Sequence, residues 1–350
     1  MEKADIKSMT MPELEEFVTG TLGEKKFRAA QIYDWIHGKL ADDFADMSNL
    51  SLDLRRRLAE NSSLVRLQTA DKLVSRIDGT AKYLFRLPDD RVIESVLMHY
   101  HHGDSVCISS QVGCRMGCRF CASTLGGLER QMLASEMLDE IYRIQKDTGQ
   151  RVSNVVVMGT GEPLDNYDNL IRFLTLLTDS RGLGISQRNI TVSTCGLVPR
   201  IYELADLKLQ ITLAISLHAV SDEKRREIMP IANRYSIEEI LGACRYYTEK
   251  TGRRITFEYS LIHGVNDSRE DAEALAALTK GLLCHINLIP VNPIEERDFR
   301  QSEADAVFKF KNILENCGRN VTIRREMGRD IQAACGQLRK KYIREPGIQS

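Results

Sequence analysis

No run in this 350-residue chain is long and apolar enough to span a bilayer, and the start, Met1-Glu2-Lys3-Ala4-Asp5-Ile6-Lys7, lacks the apolar core of a secretion signal. Neither a membrane protein nor an exported one is expected, and the cytoplasm is the expected compartment. Surplus positive charge is missing as well: 48 Lys and Arg stand against 49 Asp and Glu, a net charge of −1. A globally basic nucleic-acid binder is thereby excluded, and any such contact must be a local patch. Cysteine, by contrast, is plentiful, with nine at 107, 114, 118, 121, 195, 244, 284, 317 and 335. In a reducing compartment these read as ligands, reactive thiols or small core residues.

Three of the nine crowd into Cys114-Arg115-Met116-Gly117-Cys118-Arg119-Phe120-Cys121, a CxxxCxxC spacing. Residues so close do not easily bridge one another, but their thiolates can converge on one inorganic core. A fourth cysteine is lacking. Ordinary electron-transfer clusters use four, and closed structural zinc sites need four ligands, usually as two separated pairs. The spacing therefore favours a cubane iron–sulfur cluster with one iron left open to a non-protein ligand, with zinc as the alternative.

The chain divides into three parts. Residues 1–62 read as a small helical domain: Thr10 and Glu13 form a capping-box pattern, Phe27, Ile32, Tyr33, Trp35 and Ile36 mark a helical stripe, and Leu50, Leu54 and Leu58 suggest a third helix around Arg55-Arg56-Arg57. Twelve acidic against nine basic residues over 1–60 do not make it an RNA-binding module by charge alone. Residues 63–105 turn to strand patterns, a short antiparallel extension. Residues 106–350 alternate β-branched strands with amphipathic helices, which implies parallel βαβ units. Strands are expected near 106–110, 154–158, 189–193, 211–217, 255–261, 285–289 and 321–324. Counting the first as lead-in, this is an α/β fold with a partial (β/α)6 barrel, short of the eight strands of a complete one. No repeat, low-complexity tract or Pro/Gly-rich linker interrupts it.

The unusual polar residues fall just after these strands: Gly161-Glu162-Pro163, Ser193-Thr194, Ser216-Leu217-His218 and Asn292-Pro293. In a parallel barrel those ends share the face where active sites are built. The CxxxCxxC loop and the loop carrying Cys335 open onto it too. Cys107 and Cys335 sit at this end in Ser- or Gly-flanked loops, whereas Cys244, Cys284 and Cys317 read as small buried hydrophobes and Cys195 as structural. Gly159-Thr160-Gly161-Glu162-Pro163 lacks the lysine of a P-loop and the third glycine of a dinucleotide fingerprint. Local basic clusters occur at Lys224-Arg225-Arg226 and towards the C-terminus (Arg319, Arg324, Arg325, Arg329, Arg339, Lys340, Lys341, Arg344). Each could hold phosphate or be a solvated face. By residue type alone, Glu94 is an exposed strand carboxylate and His218 a hydrogen-bonded structural histidine as readily as a ligand contact.

Taken together, the chain resembles the radical S-adenosylmethionine (SAM) superfamily, and within it the RNA adenine-C2 methyltransferases of 23S rRNA and tRNA. The resemblance rests on the cysteine motif with Cys107-Ile108-Ser109-Ser110-Gln111-Val112-Gly113-Cys114, Met158-Gly159-Thr160-Gly161-Glu162-Pro163, Ala214-Ile215-Ser216-Leu217-His218-Ala219, Ile286-Asn287-Leu288-Ile289-Pro290 and Asp330-Ile331-Gln332-Ala333-Ala334-Cys335-Gly336-Gln337-Leu338. It implies a radical SAM barrel, one [4Fe–4S] cluster on Cys114, Cys118 and Cys121, and two SAM molecules per turnover. SAM would be held by Gly161, Glu162, Ser193, Ser216, Leu217, His218 and Asn292.

Adenine C2 is electrophilic, so direct methyl transfer from SAM fails there, whereas a protein thiolate is a competent methyl acceptor. The resemblance gives that role to Cys335. A radical made from the second SAM takes hydrogen from its S-methyl group, and the carbon adds to C2. Cys107 then attacks the Cys335 sulfur, releasing the base and leaving a disulfide, and Glu94 is the proton acceptor. Implied partners are 23S rRNA at the peptidyl-transferase centre, tRNA at the adenine 3′ of the anticodon, and a flavodoxin-type or other low-potential electron donor. A monomer is the default, with no membrane association. A sister group that methylates C8 has Gly-Glu-Ala where this chain has Gly161-Glu162-Pro163, which favours C2. A non-catalytic iron–sulfur RNA-binding protein is the rival from another class.

Overall fold

The computed structural model describes residues 3–101, 103–294, 296–334 and 337; Cys335 and the basic residues Arg339, Lys340, Lys341 and Arg344 lie outside them. At the N-terminus, β1 (Ala4–Asp5), α1 (Met11–Glu16), α2 (Phe27–Tyr33), α3 (Leu52–Asn61) and β2 (Ser62–Ser63) form one unit. It closes on itself because β1 pairs in parallel with β2, Ala4 opposite Ser62. Helix α1 starts where its capping box lies: the Thr10 backbone N–H donates to Glu13 Oε2 at 2.7 Å. Apolar Leu14, Ile32, Ile36, Leu54 and Leu58 are buried inward. The Arg55-Arg56-Arg57 run faces local partners: Arg56 pairs with Asp53 and Glu60, and Arg57 with Asp53 and Glu24.

The remaining strands are β3 (Gln68–Val74), β4 (Ala81–Arg86), β5 (Val92–Tyr100), β6 (Gly103–Ile108), β7 (Gln111–Gly113), β8 (Leu128–Gln131), β9 (Val152–Val157), β10 (Ile190–Thr194), β11 (Thr212–Ser216), β12 (Ile255–Leu261), β13 (Cys284–Pro290) and β14 (Val321–Ile323). Ten of them make one sheet in the order β14-β13-β12-β11-β10-β9-β6-β5-β4-β3. From β6 to β14 every pairing is parallel, and from β3 to β6 antiparallel. Strand β6, expected as lead-in, is itself paired in parallel to β9, so the parallel run has seven strands. It also carries the antiparallel extension on its other edge, so the two regions share one continuous sheet.

Helices α4 (Ala134–Thr148), α5 (Tyr167–Thr178), α6 (Val198–Asp206), α7 (Asp222–Ile228), α8 (Ile237–Thr251), α9 (Arg269–Leu278) and α10 (Ala304–Asn316) connect the parallel strands. Their apolar stripes bury Leu138, Ile141, Phe173, Ile201, Ile240, Leu275 and Phe310 against the sheet. Each full side chain of this kind contributes about 1.5–3 kcal/mol relative to exposure. None of the helices among the described residues is long and apolar enough to cross a membrane.

The N-terminal unit is locked onto α4 through buried charge. Lys7 Nζ meets Asp139 Oδ1 at 2.6 Å with both side chains fully buried, and Asp139 Oδ2 also accepts from the Leu67 N–H at 2.7 Å. A buried pair satisfied on both sides specifies a docking geometry more than it adds net stability.

Candidate active site

The cysteine loop leaves β7 and returns as β8. Its geometry demands glycine at Gly113, where φ is +76° and a Cβ would stand 2.0 Å from the Gly127 carbonyl oxygen. The Cys114 N–H donates to that same carbonyl at 2.9 Å, so the loop neck is fixed by backbone alone. Beyond it, Cys114, Cys118 and Cys121 all line one cavity of about 950 Å³, open mouth included, within the range of cofactor sites. Burial pushes the Cys114 thiol up to about 12, and burial, with the charges of Cys121 and Cys114, raises the Cys118 thiol well above its usual range. Bound metal reverses that penalty by taking the thiolate form.

Among the described residues, no three His, Cys, Asp or Glu side chains gather closely enough to hold a single metal ion. A mononuclear zinc site brings its sulfurs within about 2.3 Å of one ion. Three thiols on one open cavity, without a fourth cysteine beside them in the motif, suit a cubane cluster with one open iron better than a closed four-ligand zinc site.

Opposite the loop, the strand ends supply polar groups. At Gly161 φ is +112° and a Cβ would lie 2.6 Å from the Gln111 Cβ, so the chain can pass only as glycine. Next to it the Glu162 carboxylate is buried, with Oε1 accepting from the Leu164 N–H at 3.0 Å and Oε2 from the Cys195 N–H at 2.7 Å. Gln111 Oε1 accepts from the Glu162 N–H at 2.7 Å. Desolvation raises the Glu162 pKa and the backbone donors oppose it. A buried carboxylate fixed this way, lining an open cavity, suits a ligand ammonium group.

His218 sits in the left-handed region, φ +57°, held there because Asn266 Nδ2 donates to its carbonyl at 2.7 Å. Its Nδ1 accepts from the Ser260 N–H at 2.9 Å, which leaves the ring proton on Nε2. Burial, then the charge of Arg225, lowers its pKa to about 3, so it acts as a neutral donor. The ring of Phe120 from the cysteine loop meets it edge-on at 4.8 Å.

Gly161, Glu162, Ser193, Ser216, His218 and Asn292 all line the cavity with the three cysteines. Leu217 does not: it is fully buried in the main core, its N–H donating to the Glu258 carbonyl. Alternation explains the difference, since Ser216 and His218 flank it on the strand end.

Sequence reasoning missed Glu258. Ser216, Glu258, Asn287 and Thr322 stand opposite one another across β11 to β14 as one polar row. Asn287 Nδ2 donates to Glu258 Oε2 at 2.9 Å, and Arg324 Nη1 lies 3.8 Å from the same oxygen. A carboxylate inside a strand buried on both faces was the available signal, because parallel strands normally read as continuous apolar runs.

A second cavity, about 680 Å³, adjoins the first and shares Ile289, Asn292 and Arg324 with it. Cys107 lines it together with Val96, Met98, Met327, Ala333 and Ala334, the last being the residue before Cys335. Cys107 is thus not in a loop: it is buried on β6, opposite Val96 of β5 and Val156 of β9, in a small apolar cluster.

Glu94, an exposed carboxylate by residue type alone and a proton acceptor by resemblance, is only 4 % exposed. It lies 3.7 Å from Lys82 Nζ, which also donates to the Gln332 carbonyl at 3.3 Å. Glu94 lines a third cavity behind the cysteine hairpin, with Val92, Gly113 and Ser123, and not the Cys107 cavity.

The basic clusters also need correction. Arg225 is fully buried, Lys224 pairs with Asp271 and Arg226 with Glu223, so this run is no phosphate patch. Arg324 belongs to the junction of the two cavities, and among the described residues of that stretch Arg325 and Arg329 are exposed. Cys195 is buried, its thiol pushed well above the usual range by burial and then by Glu162.

Comparison with known proteins places this geometry. The radical SAM superfamily model matches residues 108–276, and a ribosomal RNA large subunit methyltransferase N-terminal domain matches residues 4–64. A protein of Lachnospira eligens named "Probable dual-specificity RNA methyltransferase RlmN" is 67% identical over 341 residues, 97% of each chain. One of the same name from Lachnoclostridium phytofermentans is 59% identical over 348 residues, 99% of this chain and 98% of that one. The crystal structure of a radical SAM methyltransferase from Sphaerobacter thermophilus superposes with a TM-score of 0.92 at 43% identity, covering 96% of this chain and 99% of that one. Proteins of this superfamily use a [4Fe–4S] cluster and SAM. The chain belongs to the RlmN family of radical SAM RNA methyltransferases.

Proposed function

We propose that the enzyme methylates C2 of a specific adenine in 23S rRNA, at the peptidyl-transferase centre, and of the adenine 3′ of the anticodon in tRNA. The dual-specificity name of its relatives and Gly161-Glu162-Pro163 support this reading. The observation that carries it is the adjoining pair of cavities, three cysteines and Glu162 lining one, Cys107 and Ala334 the other. Cys114, Cys118 and Cys121 hold the cluster. Glu162 receives the ammonium group of SAM, while Gly161, Ser193, Ser216, His218 and Asn292 line the rest of its site.

Bound cluster and SAM together supply one-electron chemistry that removes a hydrogen atom from an S-methyl group. Cys335 provides that group, its thiolate having taken the methyl from a first SAM. Once the carbon is bonded to C2, Glu94 would accept the ring proton while the adduct's unpaired electron would pass back to the oxidised cluster, restoring the aromatic ring. Cys107 thiolate attacks the Cys335 sulfur, an S–S bond forms, and the S–C bond breaks with its electrons on the carbon, which then takes up a proton. A flavodoxin-type or other low-potential donor supplies electrons, and the enzyme works as a monomer.

Cys107→Ala tests the scheme. With RNA and SAM under anaerobic reducing conditions, this variant accumulates a covalent protein–RNA adduct through Cys335, and wild type releases 2-methyladenosine, both read by mass spectrometry. An 8-methyladenosine product, or no adduct in the variant, defeats the assignment.

A further inference from the structure

Arg225 packs behind the strand ends that line the cluster cavity, and the proposed reaction gives its charge no role. It lies on α7, fully buried. Its Nε donates to the Leu217 carbonyl at 3.1 Å, and Nη2 donates to the carbonyls of Cys195 at 2.7 Å and Ser216 at 3.2 Å. Nη1 is buried without any partner. Among the described residues no carboxylate forms an ion pair with the guanidinium, Asp222 acting only from a distance.

A buried cation with no anion is costly, by several kcal/mol even after relaxation. Such a group persists where an anion is supplied. The surroundings say which one. The Cys118 and Cys195 thiols are the groups whose negative charge would favour the guanidinium most, and Arg225 in turn favours the Cys118 thiolate. The backbone joins the two: the Arg119 N–H donates to the Ile228 carbonyl at the end of α7, at 2.9 Å. Three thiolates outweigh the positive charge of a cubane core, so the loaded site is an anion, and reduction adds one more negative charge.

We propose that Arg225 is the counter-cation of the cluster and that it raises the cluster's reduction potential. This rests on the assignment of Cys114, Cys118 and Cys121 as the ligands. Net charge and hydrogen bonds to sulfur are among the factors that set such potentials. Losing a positive charge disfavours the more negative, reduced state, so the potential falls.

The test is an anaerobic redox titration of the reconstituted full-length enzyme without SAM, followed by EPR of the reduced cluster. Arg225→Gln shifts the reduction equilibrium at least tenfold towards the oxidised form, 59 mV for one electron. Arg225→Lys, which restores charge without the planar fork, recovers most of that shift. A wild-type midpoint in Arg225→Gln at wild-type iron content overturns the proposal. So does an equal shift in both variants, which indicates backbone support alone. If Arg225→Gln fails to retain cluster, wild-type enzyme carrying guanidino-15N arginine decides: pulsed EPR of the reduced cluster shows a 15N hyperfine coupling, and its absence overturns the proposal. A wild-type chain that takes up no cluster, or a Cys118→Ala variant that keeps it intact, overturns the ligand assignment itself and this inference with it.

Discussion

At the scale of single residues, the cysteine loop depends on what a side chain would do to its neck. Gly113 has φ +76° and an added Cβ would stand 2.0 Å from the Gly127 oxygen, a contact with backbone that cannot rotate away. Gly113→Ala therefore forces the β7–β8 hairpin apart and moves Cys114 off the cavity, while the core behind it is untouched. Iron and sulfide per chain after anaerobic reconstitution fall to less than half of wild type, with unchanged far-ultraviolet circular dichroism. Full cluster content would contradict the role given to the neck. Residues of this kind were partly readable. A glycine just before a cysteine motif is an obvious suspect, as are strand-end Glu162 and His218. Arg225 was not: next to Lys224 and Arg226 it looks like part of a basic surface run. Only the packing of α7 against the strand ends turns it inward, and no local pattern encodes that long-range contact. Leu217 is the opposite case, its side chain turned into the core, since belonging to a motif does not say which of three consecutive side chains faces a cavity.

Among elements, the seven helices after the cysteine loop were legible because their apolar periodicity is strong and their ends are marked. Ser236 with Glu239 and Ser268 with Asp271 cap α8 and α9, and glycines in the left-handed conformation close α4 and α8 at Gly149 and Gly252. Strand β3 gave little signal because it is an edge strand, largely exposed, with Gln68, Asp71 and Lys72 in it. The interface between the N-terminal unit and α4 was also invisible, being built from buried polar groups distant in sequence. His37 belongs to it, with Nδ1 2.7 Å from the Tyr142 hydroxyl. Desolvation, then the charge of Lys7, lowers its pKa from 6.5 to about 3. In the unfolded chain His37 binds a proton below pH 6.5 that the native state refuses down to about pH 3. Stability therefore rises with pH across that window, is complete above 6.5, and is lost as pH falls towards 3. From pH 7 to pH 5 this residue alone removes about 2 kcal/mol. Urea unfolding at the two pH values shows a difference smaller by about that amount in His37→Phe than in wild type. Equal pH dependence in both would mean that His37 is not held neutral.

On the scale of the whole molecule, the proposed reaction requires the segment leading to Cys335 to reach the Cys107 cavity. The segment leading to Cys335 follows β14 at one edge of the parallel run, yet it packs on the antiparallel extension beyond the other edge. Asp330 accepts from the Ser75 hydroxyl at 2.6 Å and from the Arg76 N–H at 2.9 Å. The Gly328 N–H donates to Asp78 Oδ2 at 3.0 Å, and Lys82 Nζ reaches the Gln332 carbonyl. The turn between β3 and β4 thus grips residues 328–332 and draws Ala333 and Ala334 over Cys107. This closes the gap left by an incomplete barrel with a clamp made of side chains, which can be released without disturbing the SAM cavity. None of the gripping residues lines that cavity. Asp330→Ala accordingly separates two properties: SAM affinity stays within about twofold of wild type and iron content is unchanged. Methylation of RNA falls roughly tenfold to a hundredfold, the range expected when a reacting group is displaced by about 1 Å. Isothermal titration with SAM and a single-turnover methylation assay measure the two halves. A loss of SAM binding that parallels the loss of methylation would show the clamp to be part of the cofactor site, and unchanged methylation would show that residues 328–332 need no clamp to present Cys335 to its substrate.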